Sequence, residues 1–207
     1  MKHEWKKHEK TLYLPKAEPE LITVPGMNFF CIDGKGNPND DFFAEYIKVL
    51  YAVSFAVRMS PKAGIAPAKY FEYTVYPLEG VWDLSDKAKS KYDGTVDKNE
   101  LIFTLMIRQP DFVDKDFAEE IIERTKKKKP HKLLNDVRFV SINEGHCVQM
   151  MHLGPYDDEP ASFRMMEEFC RDEGMQRKTR NHREIYLTDA RKTAPEKQKT
   201  VLRFQVD

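Results

Sequence analysis

Glu184 and Tyr186 carry the side-chain chemistry most open to use in this chain. They stand two apart in His182-Arg183-Glu184-Ile185-Tyr186-Leu187, a run with strand character, and residues two apart on a strand share a face. Ile185 and Leu187 are expected to pack under the helix of their own repeat, which turns Glu184 and Tyr186 toward the opposite side of the sheet. A carboxylate held there in an aromatic pocket gains proton affinity through desolvation and is poised as a base. Facing solvent, it would pair with a neighbouring Arg or Lys and contribute little. Tyr156 can donate a proton to a ligand, although a turn tyrosine also serves to pack against a sheet.

The other reactive types read as structural. His146 and His152 share one strand face with Val148 and Met150 between them. No third ligand is spaced with them, so no metal site is expected. His152, beside Gly154-Pro155, is read as holding the turn through a backbone hydrogen bond. Cys147 has no adjacent base or helix N-terminus to lower its pKa and is assigned to the core. Tyr51, Phe55, Tyr73, Trp82, Met106 and Met151 suit the lining of a ligand cleft, and each taken singly also suits a core. No Gly-rich phosphate loop, nucleophile elbow or kinase set is present, and no cofactor is expected.

Two stretches must position these residues. Cys147 to Leu153 reads as a strand that meets Gly154-Pro155 and then a helix start crowded with Asp157, Asp158 and Glu159. A weaker copy runs from Phe29-Phe30-Cys31-Ile32-Asp33-Gly34 into Asp40-Asp41-Phe42-Phe43. The first repeat, about 21–110, then continues through a helix capped by Asn39 or Asp40, a strand at Tyr70 to Tyr76, a polar loop from Ser85 to Asn99, and a strand at Leu101 to Ile107. A connector of about 111–136 holds a helix capped by Asp114 that ends in Lys126-Lys127-Lys128-Lys129-Pro130, a solvated helix end without aromatic platforms for bases. The second repeat, about 137–207, opens with a hairpin of Val137–Ile142 and His146–Leu153 across Asn143-Glu144-Gly145. A helix with Phe163, Met166, Phe169 and Cys170 follows, then strands at His182–Leu187 and Val201–Val206. The fold class is therefore α+β: duplicated β-α-β-β repeats forming an antiparallel sheet, with helices on one side and a ligand cleft between pseudo-two-fold halves. Aligning the repeats pairs Tyr76 with Tyr186. Residues 1–20 are expected to be an arm that packs loosely or frays, ahead of a single domain at 21–207.

The 207 residues include 34 basic and 34 acidic side chains, so there is no net positive surface of the kind DNA coating demands. No apolar run approaches the ~20 residues of a membrane span. The start, Met1-Lys2-His3-Glu4-Trp5-Lys6-Lys7, is too charged for a secretory signal. Cys31, Cys147 and Cys170 are widely spaced and odd in number, as expected of reduced, buried thiols in a cytoplasmic protein. Nothing in the sequence fixes an oligomeric state.

The sequence resembles a stand-alone member of the GyrI-like small-molecule-binding family. The resemblance covers nearly all of the chain beyond the arm. It rests on residues 147–159, on Glu184-Ile185-Tyr186-Leu187-Thr188-Asp189-Ala190-Arg191-Lys192, on Pro195-Glu196-Lys197, on Phe30 to Pro38, and on Tyr76-Pro77-Leu78-Glu79-Gly80-Val81-Trp82. It implies two β-α-β-β repeats with a cleft where a buried glutamate, here Glu184, receives flat, often cationic compounds, as in the effector domains of bacterial multidrug-responsive regulators. Those regulators carry a separate DNA-binding domain. The ~20 residues ahead of the first strand are too few for a helix-turn-helix, so no direct nucleic-acid binding is expected. Some stand-alone relatives resemble cyclopropanoid hydrolases, which detoxify DNA-alkylating xenobiotics. On that resemblance Glu184 activates water and one of Tyr186, Tyr51 or Tyr156 donates to the ligand carbonyl. The alternatives are a binding module that sequesters or senses such compounds without chemistry, and an inhibitor of DNA gyrase. Where the family often has Ser-Asp-Pro after this strand, the chain has Thr188-Asp189-Ala190.

Overall fold

Apolar alternation and turn chemistry lay down the same order of elements twice. In the computed structural model, which describes residues 2–91 and 96–207, α1 (Trp5–His8), α2 (Lys10–Tyr13) and β1 (Glu20–Val24) lead into β2 (Met27–Lys35), α3 (Phe42–Arg58), β3 (Leu78–Leu84), α4 (Asp86–Lys89) and β4 (Leu101–Gln109). Then come α5 (Lys115–Lys128), β5 (Arg138–Ile142), β6 (Gly145–Leu153), α6 (Glu159–Asp172), β7 (His182–Tyr186) and β8 (Lys199–Gln205). The repeats are β2-α3-β3-β4 and β6-α6-β7-β8. In each, the last strand lies between the other two, giving the neighbour orders β2-β4-β3 and β6-β8-β7. The pairs β1·β6, β2·β4, β2·β5, β6·β8 and β7·β8 are all antiparallel, and the fold class is α+β with duplicated β-α-β-β repeats, as expected.

The chain divides into two units. The first holds Met27–Leu78 and Trp82–Ile142 with the N-terminal residues through His3; the second holds Glu4–Gly26, Glu79–Val81 and Asn143–Asp207. Strand β1 therefore belongs with the second repeat and β5 with the first. This corrects the expected hairpin. β6 already has β1 and β8 on its two edges, so β5 pairs with β2 across Met27↔Ile142 to Cys31↔Arg138 instead. The two residues between β5 and β6 carry the chain out of one unit into the other.

In the first unit, α3 buries Val49, Leu50, Val53 and Val57 and packs on β2, β4 and α5. Its cap position is Asp41, without a side-chain cap bond, rather than Asn39 or Asp40. The expected strand at Tyr70–Tyr76 is a second correction. Only Tyr73 makes a bridge, to His3, and the strand begins at Leu78, beyond Pro77. The rings of Tyr70, Phe71 and Tyr73 instead close on Phe112 at 5.1, 5.2 and 6.0 Å. High β propensity reports a taste for packing, and here a ring cluster satisfies it without a ladder. The repeat counterpart of β7 is consequently β3, so the alignment of Tyr76 with Tyr186 does not hold. Within the expected loop at 85–99, α4 is capped by Ser85, whose Oγ accepts from Ala88 N; residues 92–95 of that loop lie outside the described residues. The connector helix α5 is capped as expected, with the Asp114 carboxylate accepting from Phe117 N at 2.9 Å.

In the second unit, α6 lays Met166 and Cys170 on Val148, Met150, Leu202, Phe204 and Val206. The other face of the same strands holds a buried charge cluster. Arg183 donates to Glu79 Oε2 at 2.7 Å and lies 3.0 Å from Glu144 Oε1. Arg203 donates to Gln149 Oε1 at 2.8 Å and to the Leu12 carbonyl at 2.6 Å, and Gln149 donates to the Thr11 carbonyl at 2.7 Å. Burial works against the Arg183 charge, but Glu144 and Glu79 outweigh it and raise its pKa; burial pushes Glu79 up against the pull of Arg183. The N-terminal residues are thus not a loose arm. Trp5 and Tyr13 are buried with ring centroids 5.2 Å apart, and the carbonyls of residues 11 and 12 accept from the buried Gln149 and Arg203 side chains.

Candidate functional site

The local chain geometry at the end of β6 sets the position of α6. Gly154 has φ of +129°, a conformation that L side chains rarely adopt, and Pro155 follows it into the helix approach. The Pro155 carbonyl can only accept, so His152 Nε2–H donates to it at 3.0 Å; Nδ1 then accepts from Ser162 Oγ at 2.9 Å. One histidine, 3% exposed, clamps the first turns of α6 to the strand, which is the turn-holding role expected of it. His146, the other member of the pair, faces Thr23 Oγ1 at 3.2 Å.

The register then decides which way Glu184 points. Glu184 lies opposite Leu202, and Leu202 opposite Met150. Directly opposed residues of antiparallel strands share a face, so His182, Glu184 and Tyr186 stand on the side covered by α6. This reverses the expected assignment of faces. Ile185 lies on the other side, with Arg183, Arg203 and Gln149. Apolar neighbours do not mark the helix side here because the opposite face is buried too: Val201 and Arg203 are as covered as Leu202.

Glu184 is 8% exposed, and both of its oxygens are engaged. Oε1 accepts from His182 Nε2 at 2.9 Å and Oε2 accepts from the Tyr186 hydroxyl at 2.8 Å. The His182 ring rests edge-on against Phe163 of α6 at 4.7 Å. The Tyr186 ring meets Tyr156 at 5.9 Å in a T-shaped contact. From the first residue of α6 comes a second carboxylate, Glu159, also 8% exposed, whose Oε1 is buried with no hydrogen-bond partner. One ligand atom each from Glu159, His182 and Glu184 fall within 4.8 Å of one another, so these are the described residues able to hold a metal ion. Burial, then the charges of Glu184 and Asp157, raise the Glu159 carboxyl well above the usual carboxylate range. Tyr156 is pushed up as well, by desolvation of its covered part and then by Glu184, Glu159 and Asp189.

The structure brings Glu184 and Tyr186 into direct contact. Of the residues expected to line a cleft, five lie in the first unit and Met151 in the second. Tyr73 and Met106 are fully covered within the first unit, and Trp82 packs against Phe43 and Phe103 at 5.9 and 5.3 Å. Tyr51 and Phe55 lie on α3, their rings 6.2 Å apart and Phe55 43% exposed. Met151 is buried in the second unit, on the strand face that carries Gln149 and Val201. Two members of the cluster were missed. His182 was legible as the first residue of a period-two His-x-Glu-x-Tyr run. Glu159 was hidden among the acids at a helix start, where one cap and a favourable dipole account for all three.

A model of the GyrI-like small molecule binding domain matches residues 17–207. Among solved structures, a hydrolase from Listeria innocua is 40% identical, with a TM-score of 0.90 over 100% of both chains. A second Listeria innocua hydrolase is 38% identical, with a TM-score of 0.88 over 99% of this chain and 100% of the other. A conserved Listeria innocua protein described as uncharacterized is 39% identical, with a TM-score of 0.88 at the same coverage. No curated protein sequence matches. No described helix is long and apolar enough to cross a membrane. Matched along nearly its whole length, the chain belongs to the GyrI-like small-molecule-binding family.

Proposed function

We propose that the chain binds a flat aromatic or hydrophobic small molecule and hydrolyses a conjugated, cyclopropane-type electrophile, with Glu184 activating the water. The observation that carries this reading is the environment of Glu184, a nearly buried carboxylate fixed by two donors beside a second buried carboxylate. The hydrolase names of relatives at 38 and 40% identity favour chemistry over binding alone. In the proposed step, water oxygen bonds to the less hindered ring carbon as the strained carbon–carbon bond breaks. That bond's electron pair moves through the conjugated system onto the ligand carbonyl oxygen, which becomes a phenolate. Glu184 takes the water proton, and the phenolate is later protonated.

Tyr186 already donates to Glu184, so its part is to orient the base. The Tyr156 hydroxyl has no hydrogen-bond partner among the described residues and is the phenol available to the developing oxyanion. General-base and oxyanion contributions of about 10²–10⁴-fold each are of the size such a reaction needs. The test is incubation with a cyclopropane-bearing alkylator in ¹⁸O-labelled water. The expected product is the ring-opened alcohol carrying one labelled oxygen. Saturable binding with no product across several such compounds would instead establish a sequestering or sensing protein.

A further inference from the structure

We propose that Glu159, His182 and Glu184 form a binding site for one divalent transition-metal ion of the zinc and cobalt class. The donor set comes from two elements. β7 presents His182 Nε2 and a Glu184 oxygen from positions two apart on one face, and α6 presents Glu159 from its first turn. The three ligand atoms lie within 4.8 Å of one another, and the His182–Glu184 edge is already 2.9 Å. Metal–ligand bonds of about 2.0–2.2 Å in a tetrahedral site place ligand atoms about 3.3 Å apart, so side-chain rotation of Glu159 closes the triangle.

The independent pointer to a ligand is Glu159 Oε1, an acceptor on a side chain more than nine-tenths buried that has no partner and belongs to this cluster. Buried acceptors are almost always satisfied, and a cation satisfies this one. Two carboxylates and a neutral imidazole carry a charge of −2 that a divalent ion cancels. An imidazole among the donors favours zinc or cobalt over magnesium and calcium, which prefer all-oxygen shells. With no thiolate in the set, monovalent copper is disfavoured. The surroundings supply the support that metal ligands need. Phe163 holds the His182 ring at 4.7 Å, and the Tyr186 hydroxyl donates to Glu184 Oε2 at 2.8 Å. The ion takes the place of the hydrogen bond between His182 Nε2 and Glu184 Oε1, and the imidazole proton sits on Nδ1 when Nε2 binds it. His146 and His152 lie outside this trio.

The site shares Glu184 with the proposed base, yet ion binding does not depend on the hydrolytic reading. Titration of the full chain with Co²⁺, followed by its visible absorption, tests it directly. One equivalent of Co²⁺ is expected, displaced by Zn²⁺. Glu159→Gln and His182→Gln are each expected to weaken binding by at least about tenfold, while His146→Gln, at an exposed histidine outside the trio, leaves it unchanged. Each variant is checked for folding by its thermal transition without metal, and either folded variant suffices. Absence of a saturable signal up to about 1 mM Co²⁺, or a signal equally strong in the Glu159 or His182 variant, overturns the proposal.

Discussion

Glu184→Gln separates the base from its setting. Glutamine keeps the shape of the side chain and one acceptor oxygen but replaces the other oxygen with a donor. Glu184 accepts from His182 at 2.9 Å and from Tyr186 at 2.8 Å, so one of these contacts must change sense. His182 can make that change by moving its proton to Nδ1 and accepting at Nε2. The loss in stability is therefore that of about one adjusted hydrogen bond, about 0.5–1.5 kcal/mol. The loss in rate is much larger. Without a proton acceptor, turnover of a cyclopropane-bearing compound should fall about 10²–10⁴-fold, or about 3–5 kcal/mol in the barrier. Initial rates are read from loss of the conjugated chromophore, and dissociation constants from fluorescence quenching by the same compound. We expect kcat to collapse with Kd changed less than a few-fold. Turnover in the variant within about threefold of the parent would refute the assignment of Glu184 as base.

Three further outcomes follow from the packing. His152→Ala removes both bonds that clamp α6 to β6 and leaves the Ser162 hydroxyl and Pro155 carbonyl without that partner; a loss of about 1–3 kcal/mol should appear in chemical denaturation, with turnover reduced through displacement of α6. Arg203→Met takes the Arg203 donors from Gln149 Oε1 and the Leu12 carbonyl and leaves Glu144 with Arg183, so unfolding stability should drop by about 3–5 kcal/mol and limited proteolysis should cut within residues 4–19 sooner than in the parent. Burial, then the Glu144 charge, push the Cys147 thiol up to about 12, so at pH 8 almost none is thiolate. A chromogenic disulfide reagent should leave Cys147 unmodified in the native protein and react with it promptly in denaturant.

What the sequence revealed about the fold came from signals that are local. The strand–turn–helix run at 147–159 and its copy at 29–43 are visible because alternation, Gly-Pro turns and acidic helix starts act within a few residues. Pairing between distant strands is not local. Two residues between β5 and β6 look like a hairpin loop, and only the occupation of both β6 edges by β1 and β8 sends β5 elsewhere. The face of Glu184 was misread for a related reason. Apolar neighbours were assumed to mark the only buried side, while Arg183, Arg203 and Gln149 fill a second buried side. Partners of that side lie more than a hundred residues away, in residues 11 and 12. The aromatic run at 70–76 shows that composition alone does not separate a strand from a ring cluster. At the site, His182 obeys the same period-two rule that singled out Glu184 and Tyr186. Glu159 required knowing that α6 lies over that face.

The most direct test of Glu184 as the centre of the ligand site is a crystal structure of the Glu184→Gln variant with a cyclopropane-bearing compound bound. The account predicts the compound against the side-chain face shared by His182, residue 184 and Tyr186. A water should touch the substituted amide and lie within about 3–3.5 Å of the ring carbon. Density for the compound elsewhere on the molecule, with no approach to residue 184, would contradict it.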